Sequence, residues 1–315
     1  MCDDAAGSKN YEFIPITKCP LEYGTRLFYD DCTQSLYFVD MPKATVYKYS
    51  LACKKLTKAK IGCEGQLAFM FPVEGSNCKF IAGIGRKIVF VNWDGEVDAV
   101  PDFEEILEVD TEPDLCKNML NGAKIDFCGR LWAGTMGPVD DKGNVAPGKG
   151  SLYRISQGCS SKQKCRIGIT GGLAFDCKKN KMYFCDTNDP KIFQYDLSKD
   201  GTIGNEKMIF DFAKNKLEGK PDGMYVDKKG DLWVCVVFGS ALIKIDVCNG
   251  SIKEKIDCPT AQVTSVVFGG QKLNEVYITT GKLCVGGKPP EGPAGMTLQI
   301  KGLEAGGIKD VRYKE

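Results

Sequence analysis

The chain contains no histidine. His-dependent catalytic triads, His zinc sites and His general bases are therefore excluded. Any chemistry must run on carboxylates, amides, hydroxyls, lysines or thiols. Among the carboxylates, Asp222 in Lys220-Pro-Asp-Gly-Met224 is the most suggestive, because Pro-Asp-Gly opens an apolar run and aims a carboxylate from the start of a strand. By itself Pro-Asp-Gly is a turn signature. Gly143-Asn-Val-Ala-Pro-Gly-Lys-Gly150 nearly fits a phosphate-binding loop, but Gly150 stands where the metal-binding hydroxyl belongs, and a strand rather than a helix follows. Asp196-Leu-Ser-Lys-Asp-Gly201 opens like a calcium-binding EF-hand loop, yet its twelfth position is Lys207 where a bidentate Glu is needed, so a turn is expected. The 16 cysteines are irregularly spaced with no C-x-x-C pair, and Cys185 and Cys235 lie in strand-like apolar runs. They read as small, reduced core residues.

The elements that must hold such residues are legible as a repeat. One strand signature recurs six times: Ser35-Leu-Tyr-Phe-Val39, Lys79-Phe-Ile-Ala-Gly83, Arg130-Leu-Trp-Ala-Gly134, Lys181-Met-Tyr-Phe-Cys185, Asp231-Leu-Trp-Val-Cys235 and Glu275-Val-Tyr-Ile-Thr279. Each of the first five is followed by a second strand-like run, for example Thr45–Tyr49 and Ala241–Ile245, and Asp94-Gly95, Asp200-Gly201 and Asn249-Gly250 supply hairpin turns. Some are preceded by a third, as in Gly172-Leu-Ala-Phe-Asp176. Three to four strands per repeating unit of about 50 residues is the size of a propeller blade, and long amphipathic helices are missing. The expectation is one all-β domain over residues 1–315, a six-bladed β-propeller whose Asp222 faces the axis. Closing the ring requires the ends to meet, and Tyr11–Ile16 is expected to pair with Ile308–Tyr313.

Composition narrows the partners. With 42 Lys+Arg against 41 Asp+Glu the net charge is +1, and both signs are interspersed. No basic stripe invites nucleic acid and no run is long and apolar enough for a bilayer. Met1-Cys2-Asp3-Asp4 shows no secretory leader, so a cytoplasmic protein, a monomer or weak dimer, is expected.

Over nearly its whole length the sequence resembles the regucalcin, gluconolactonase and insect luciferin-regenerating enzyme family, and within it the luciferin-regenerating branch. The stretches that carry the resemblance include Thr33-Gln-Ser-Leu-Tyr-Phe-Val-Asp40, Gly129-Arg-Leu-Trp-Ala-Gly-Thr-Met136, Gly150-Ser-Leu-Tyr153, Gly172-Leu-Ala174, Pro221-Asp-Gly-Met224, Gly230-Asp-Leu-Trp-Val234 and Val263-Thr-Ser-Val-Val-Phe-Gly-Gly270. The resemblance implies a six-bladed propeller holding a divalent cation, often calcium, on its axis through a Glu, an Asn and an Asp. Oxygen ligands suit such a cation without histidine. The Asp falls on Asp222. The Glu falls, by ungapped count, on Thr25, and the Asn falls on Gly171. The family's substrate-binding Arg-x-Asn-Asp-Gly is Met119-Leu-Asn121-Gly122-Ala123 here, keeping the Asn alone.

Two of three protein ligands are thus lost. No cofactor is expected, and calcium or another divalent cation only weakly, on Asp222 and Asn121. The pocket of Thr25, Met119, Asn121, Gly122, Gly171 and Asp222 is expected to be roomier and less polar than the family's, suiting a small apolar or aromatic molecule. Three functions stay open: a catalytically degenerate propeller binding a small organic molecule; a metal-dependent lactone hydrolase on a site remodelled from Asp222, Asn121 and Glu22, with Asp222 catalytic; or a protein-contact surface with an idle pocket.

Overall fold

A computed structural model describes residues 10–62, 65–96, 101–285 and 290–315. The N-terminal residues on which the absence of a leader was read lie outside these. Six antiparallel four-stranded sheets form the blades of a propeller. Blade 1 runs Gly24–Asp30, Ser35–Asp40, Thr45–Ser50 and Leu56–Lys60; blade 2, Leu67–Pro72, Lys79–Ile84, Lys87–Asn92 and Phe103–Glu108. Blade 3 runs Met119–Ile125, Leu131–Met136, Gly150–Ser156 and Cys159–Ile167; blade 4, Thr170–Asp176, Lys181–Asp186, Lys191–Leu197 and Ile203–Asp211. Blade 5 runs Lys220–Val226, Leu232–Val237, Ala241–Ile245 and Ile252–Asp257; blade 6, Val263–Gly269, Glu275–Thr280 and Leu298–Lys301, completed by Glu12–Pro15. Every recurring signature lies in or borders the second strand of its blade.

The first strands meet one another around the axis and are almost wholly buried, whereas fourth strands such as Cys159–Ile167 are mostly exposed and polar. This gradient explains why inner strands are continuous apolar or small-residue runs and outer ones are largely polar. Aromatic side chains such as Tyr37, Trp132, Tyr183, Trp233 and Tyr277, all 0–1% exposed, fill the space between sheets.

Two blades share a polar device. Asp126 accepts hydrogen bonds from the backbone of Cys128 (2.8 Å) and Arg130 (3.1 Å), from Arg130 Nε (2.7 Å) and from the Trp132 indole (2.9 Å). Asp227 accepts equivalent bonds from Lys229, Asp231 and the Trp233 indole, and a fourth from Lys244 Nζ at 2.9 Å. The spacing Asp-x-x-Gly-x-Leu-Trp lets one carboxylate close the turn and anchor the buried tryptophan of the next strand.

The ring closes differently from the sequence expectation. The N-terminal strand does complete the last blade, but it pairs with Leu298–Lys301 in the register Glu12↔Lys301 and Pro15↔Leu298. The segment expected as its partner, Ile308–Tyr313, instead crosses the lower face. There Lys228 N–H donates to Gly306 O (2.8 Å), Arg312 makes a two-pronged contact with Asp30 (2.9 and 2.7 Å), and Lys314 N–H donates to Gly129 O (2.8 Å). Removing residues through Ile16 exposes the edge of Leu298–Lys301 and the faces against which Phe13 and Ile16 pack. The melting temperature is expected to fall by at least about 5 °C. An unchanged value, read by calorimetry, would show that this strand does not close the ring.

Of the 14 described cysteines, all with free thiols, only Cys185, Cys235 and Cys258 are buried. The expectation of core cysteines is corrected for the other eleven. They lie in turns and on outer strands, where a small side chain meets no packing demand. Among the described residues, no helix is long and apolar enough to cross a membrane.

Candidate functional site

Each inner strand carries a register shift near the upper end of the propeller, where the first strands begin. In four blades two residues face one on the neighbouring strand: Arg26 and Leu27, Asn121 and Gly122, Gly171 and Gly172, Asp222 and Gly223. Such bulges bend a strand and re-aim a side chain. They are the common device that turns Arg26, Asn121 and Asp222 toward one another across the axis.

Asp222, 5% exposed, is held from two sides. The Tyr23 hydroxyl donates to Oδ2 at 3.0 Å, and Arg26 Nη1 lies 3.5 Å from Oδ1. Arg26 also donates through Nε to the Asn121 carbonyl (3.1 Å) and through Nη2 to Asn121 Oδ1 (3.0 Å). The Asn121 amide in turn points at Met136 Sδ, 3.5 Å away. Arg26 is 6% exposed and its backbone φ is 55°, a left-handed conformation that costs a residue with a side chain of this size.

Burial pushes the Asp222 carboxyl upward, opposed by the Arg26 charge and the Tyr23 hydrogen bond without being overcome. Enclosure of its hydroxyl, then the neighbouring Asp222 charge, pushes Tyr23 well upward, although its ring keeps part of its surface in solvent. Cys185 and Cys235 lie opposite the bulges of blades 4 and 5, and burial pushes both thiols upward. Neither is a thiolate nucleophile at neutral pH. Cys185 Sγ accepts the Gly172 N–H at 3.0 Å, a packing role.

The structure brings together Asn121, Gly122, Gly171 and Asp222 but changes what surrounds them. Thr25 stays in the regular ladder opposite Val39, fully buried, and its hydroxyl has no partner. The next residue, Arg26, reaches the axis instead, because the bulge begins after Thr25. Met119 lies at the strand start opposite Met136. A side chain at Gly122 would put its Cβ 2.3 Å from the Gly171 carbonyl, and one at Gly171 would put it 2.4 Å from Thr187 Oγ1, so close approach of neighbouring blades fills both places. Glu22 faces outward to Lys43 (3.2 Å) while its backbone N–H is tied to Asp40 (3.0 Å), and it supplies no carboxylate to the axis. Arg26 occupies the centre of these residues, and beside it lies a cavity of about 20 Å³.

Arg26 and Tyr23 were not legible as site residues. A one-residue bulge decides which side chain turns inward, and no local pattern encodes that.

A divalent cation does not fit this set of residues. Asp222 and both Asn121 oxygens are already engaged by Arg26 and Tyr23, and a permanent guanidinium charge lies within 3.5 Å of the Asp222 carboxylate. Among the described residues, one group of three Asp, Glu or Cys ligands lies within metal-binding distance, Asp30, Asp31 and Cys32. It is away from the axis, with Arg312 on Asp30 and Lys309 on Asp31.

Comparison with known proteins agrees with the geometry of the ring. Residues 24–282 match the family profile described as SMP-30/Gluconolactonase/LRE-like region. Regucalcin from Macaca fascicularis is 28% identical over 293 residues, covering 90% of this chain and 92% of that protein. A solved luciferin-regenerating enzyme is 32% identical with a TM-score of 0.88, covering 97% of this chain and all of the other. A calcium-binding regucalcin from Agrobacterium tumefaciens, 18% identical with a TM-score of 0.82 and coverages of 97% and 98%, shares the fold. The six bulged inner strands, the order of the strand motifs and these matches together place the chain in the SMP-30/gluconolactonase/LRE-like family.

Proposed function

We propose that this chain is a catalytically degenerate member of its family that binds a small organic molecule at the upper face without metal-dependent turnover. The observation that carries the reading is the engagement of both Asp222 oxygens, one by the Tyr23 hydroxyl and one by the Arg26 guanidinium. A carboxylate so held is poorly placed to act as base, nucleophile or metal ligand.

Space for a ligand lies beside the axis. A cleft of about 470 Å³ is lined by Phe238, Pro259, Leu283, Val285 and Pro290 and reaches buried Gln262. Gln262 and Tyr23 both pack on Gly281, so the cleft adjoins the Asp222 network. Phe238 and Val285 are 44% and 57% exposed there, and with Ser240, Thr260 and Glu291 beside them the mixed lining suits an aromatic ligand that carries a polar group. Eleven exposed free thiols favour a reducing compartment such as the cytoplasm.

Calorimetry is expected to find no calcium or zinc binding tighter than about micromolar. An aromatic fluorescent probe, anilinonaphthalene sulfonate, is expected to bind the folded protein and to lose most of that binding in Phe238→Asp. Metal-dependent hydrolysis of a sugar lactone that disappears in Asp222→Asn would sink the reading and favour the hydrolase.

A further inference from the structure

We infer that Arg26 is a tethered cation occupying a seat built for a divalent one, and that the axial site of this chain is a latent metal site blocked by its own side chain. The inference rests on the reading that the axis is metal-free, but not on any ligand.

Three observations converge. The first is the chemistry of the seat: every hydrogen-bonding atom within reach of the guanidinium is an oxygen, the Asn121 carbonyl at 3.1 Å, Asn121 Oδ1 at 3.0 Å and Asp222 Oδ1 at 3.5 Å. With the Tyr23 hydroxyl on the other Asp222 oxygen, this is an all-oxygen set with one negative charge, the kind that hard cations take. The second is the backbone. Arg26 holds φ at 55° inside a bulge, a conformation free of steric cost only for glycine. The strained residue is the one whose side chain fills the seat. The third is charge. A buried Asp222 needs a positive partner, and a guanidinium is permanently protonated, so it meets that need at every physiological pH without an exchangeable ion.

On this inference the guanidinium, more than the small residues around it, keeps a cation out. Restoring Gly171 and Gly122 to longer side chains is blocked by neighbouring backbone and side chains, whereas removing the Arg26 side chain relaxes the backbone and frees three oxygens at once.

The test is Arg26→Gly, with Arg26→Asn as a second variant because asparagine also tolerates left-handed backbone. Terbium luminescence, excited through a tyrosine, is a suitable readout because Tyr23 touches Asp222. Calcium competition then gives the affinity for a divalent cation. Arg26→Gly is expected to bind terbium and calcium at least about a hundredfold more tightly than the unmodified protein, as removal of a fixed like charge beside the site requires. Its melting temperature should rise with calcium, while Arg26→Gly/Asp222→Asn should neither bind nor respond. Folded Arg26→Gly and Arg26→Asn with no gain in affinity would overturn the inference and leave the degenerate reading standing. Unmodified protein that binds calcium as tightly as Arg26→Gly would overturn both.

Discussion

Replacing Arg26 with methionine is expected to destabilise the folded chain by about 3–5 kcal/mol at neutral pH, the cost of leaving a buried charge without its partner. The side chains of Arg26 and Asp222 are 4% and 7% exposed, so solvent cannot take over the role of either. Methionine preserves much of the buried volume and the same backbone strain, which isolates the electrostatic part. The effect has a pH signature. Burial already raises the Asp222 pKa, and losing Arg26 raises it further. A folded-state pKa above the unfolded value of 3.8 means that this group's contribution is fully present at lower pH and is lost as pH rises through the folded value. The deficit of Arg26→Met should therefore shrink toward acid pH, where Asp222 is protonated. Arg26→Met/Asp222→Asn should recover most of the loss at neutral pH. Urea unfolding at both pH values measures this. Equal deficits at acid and neutral pH, or strict additivity in the double variant, would show that Arg26 acts through packing alone.

Asp227→Ala is expected to cost about 3–4 kcal/mol, because it orphans several buried donors together. Lys244, whose side chain is 10% exposed, would keep Asp231 at 3.1 Å but lose its contact at 2.9 Å. The Trp233 indole and the backbone N–H groups of Lys229 and Asp231 would lose their acceptor. Burial acts to raise the Asp227 pKa, but the Lys244 ammonium and these donors outweigh it and hold the carboxyl below its ordinary value. Its contribution is thus present above the unfolded pKa of 3.8 and fades as pH falls through the folded value. Burial acts to lower Lys244, and Asp227 and Asp231 outweigh it and raise it above 10.5, so its contribution persists up to that value and fades at more alkaline pH. The variant should show a flatter dependence of urea midpoint on pH at both ends. An unfolding free energy within about 0.5 kcal/mol of the unmodified protein would mean that Asp231 and solvent replace Asp227.

The two expectations concern different layers of the molecule, and their legibility differs accordingly. Asp227 belongs to a spacing, Asp-x-x-Gly-x-Leu-Trp, repeated at Asp126, and such local patterns survive in a linear reading because the turn, the strand start and the buried ring are neighbours in sequence. The sixfold signature centred on Tyr37, Ile81, Trp132, Tyr183, Trp233 and Tyr277 is legible for the same reason. Each is the second strand of its own blade, fixed by local periodicity and local turns. Arg26 belongs to the other layer. Its partners Asn121 and Asp222 are 95 and 196 residues away in sequence, and they meet only because the ring closes.

The sequence by itself therefore determined the number of blades and the family, and it pointed to Asp222 as an axial carboxylate. Only the tertiary structure decided that Arg26 rather than Thr25 faces that carboxylate, that Glu22 turns out to Lys43, that Leu298–Lys301 rather than Ile308–Tyr313 receives the N-terminal strand, and that most cysteines lie outside the core. The physical reason is the two-residue period of a strand. A single bulged residue reverses which side chain faces the axis at almost no cost in local propensity, so inward direction is set by packing among six inner strands and not by the residues adjacent in the chain.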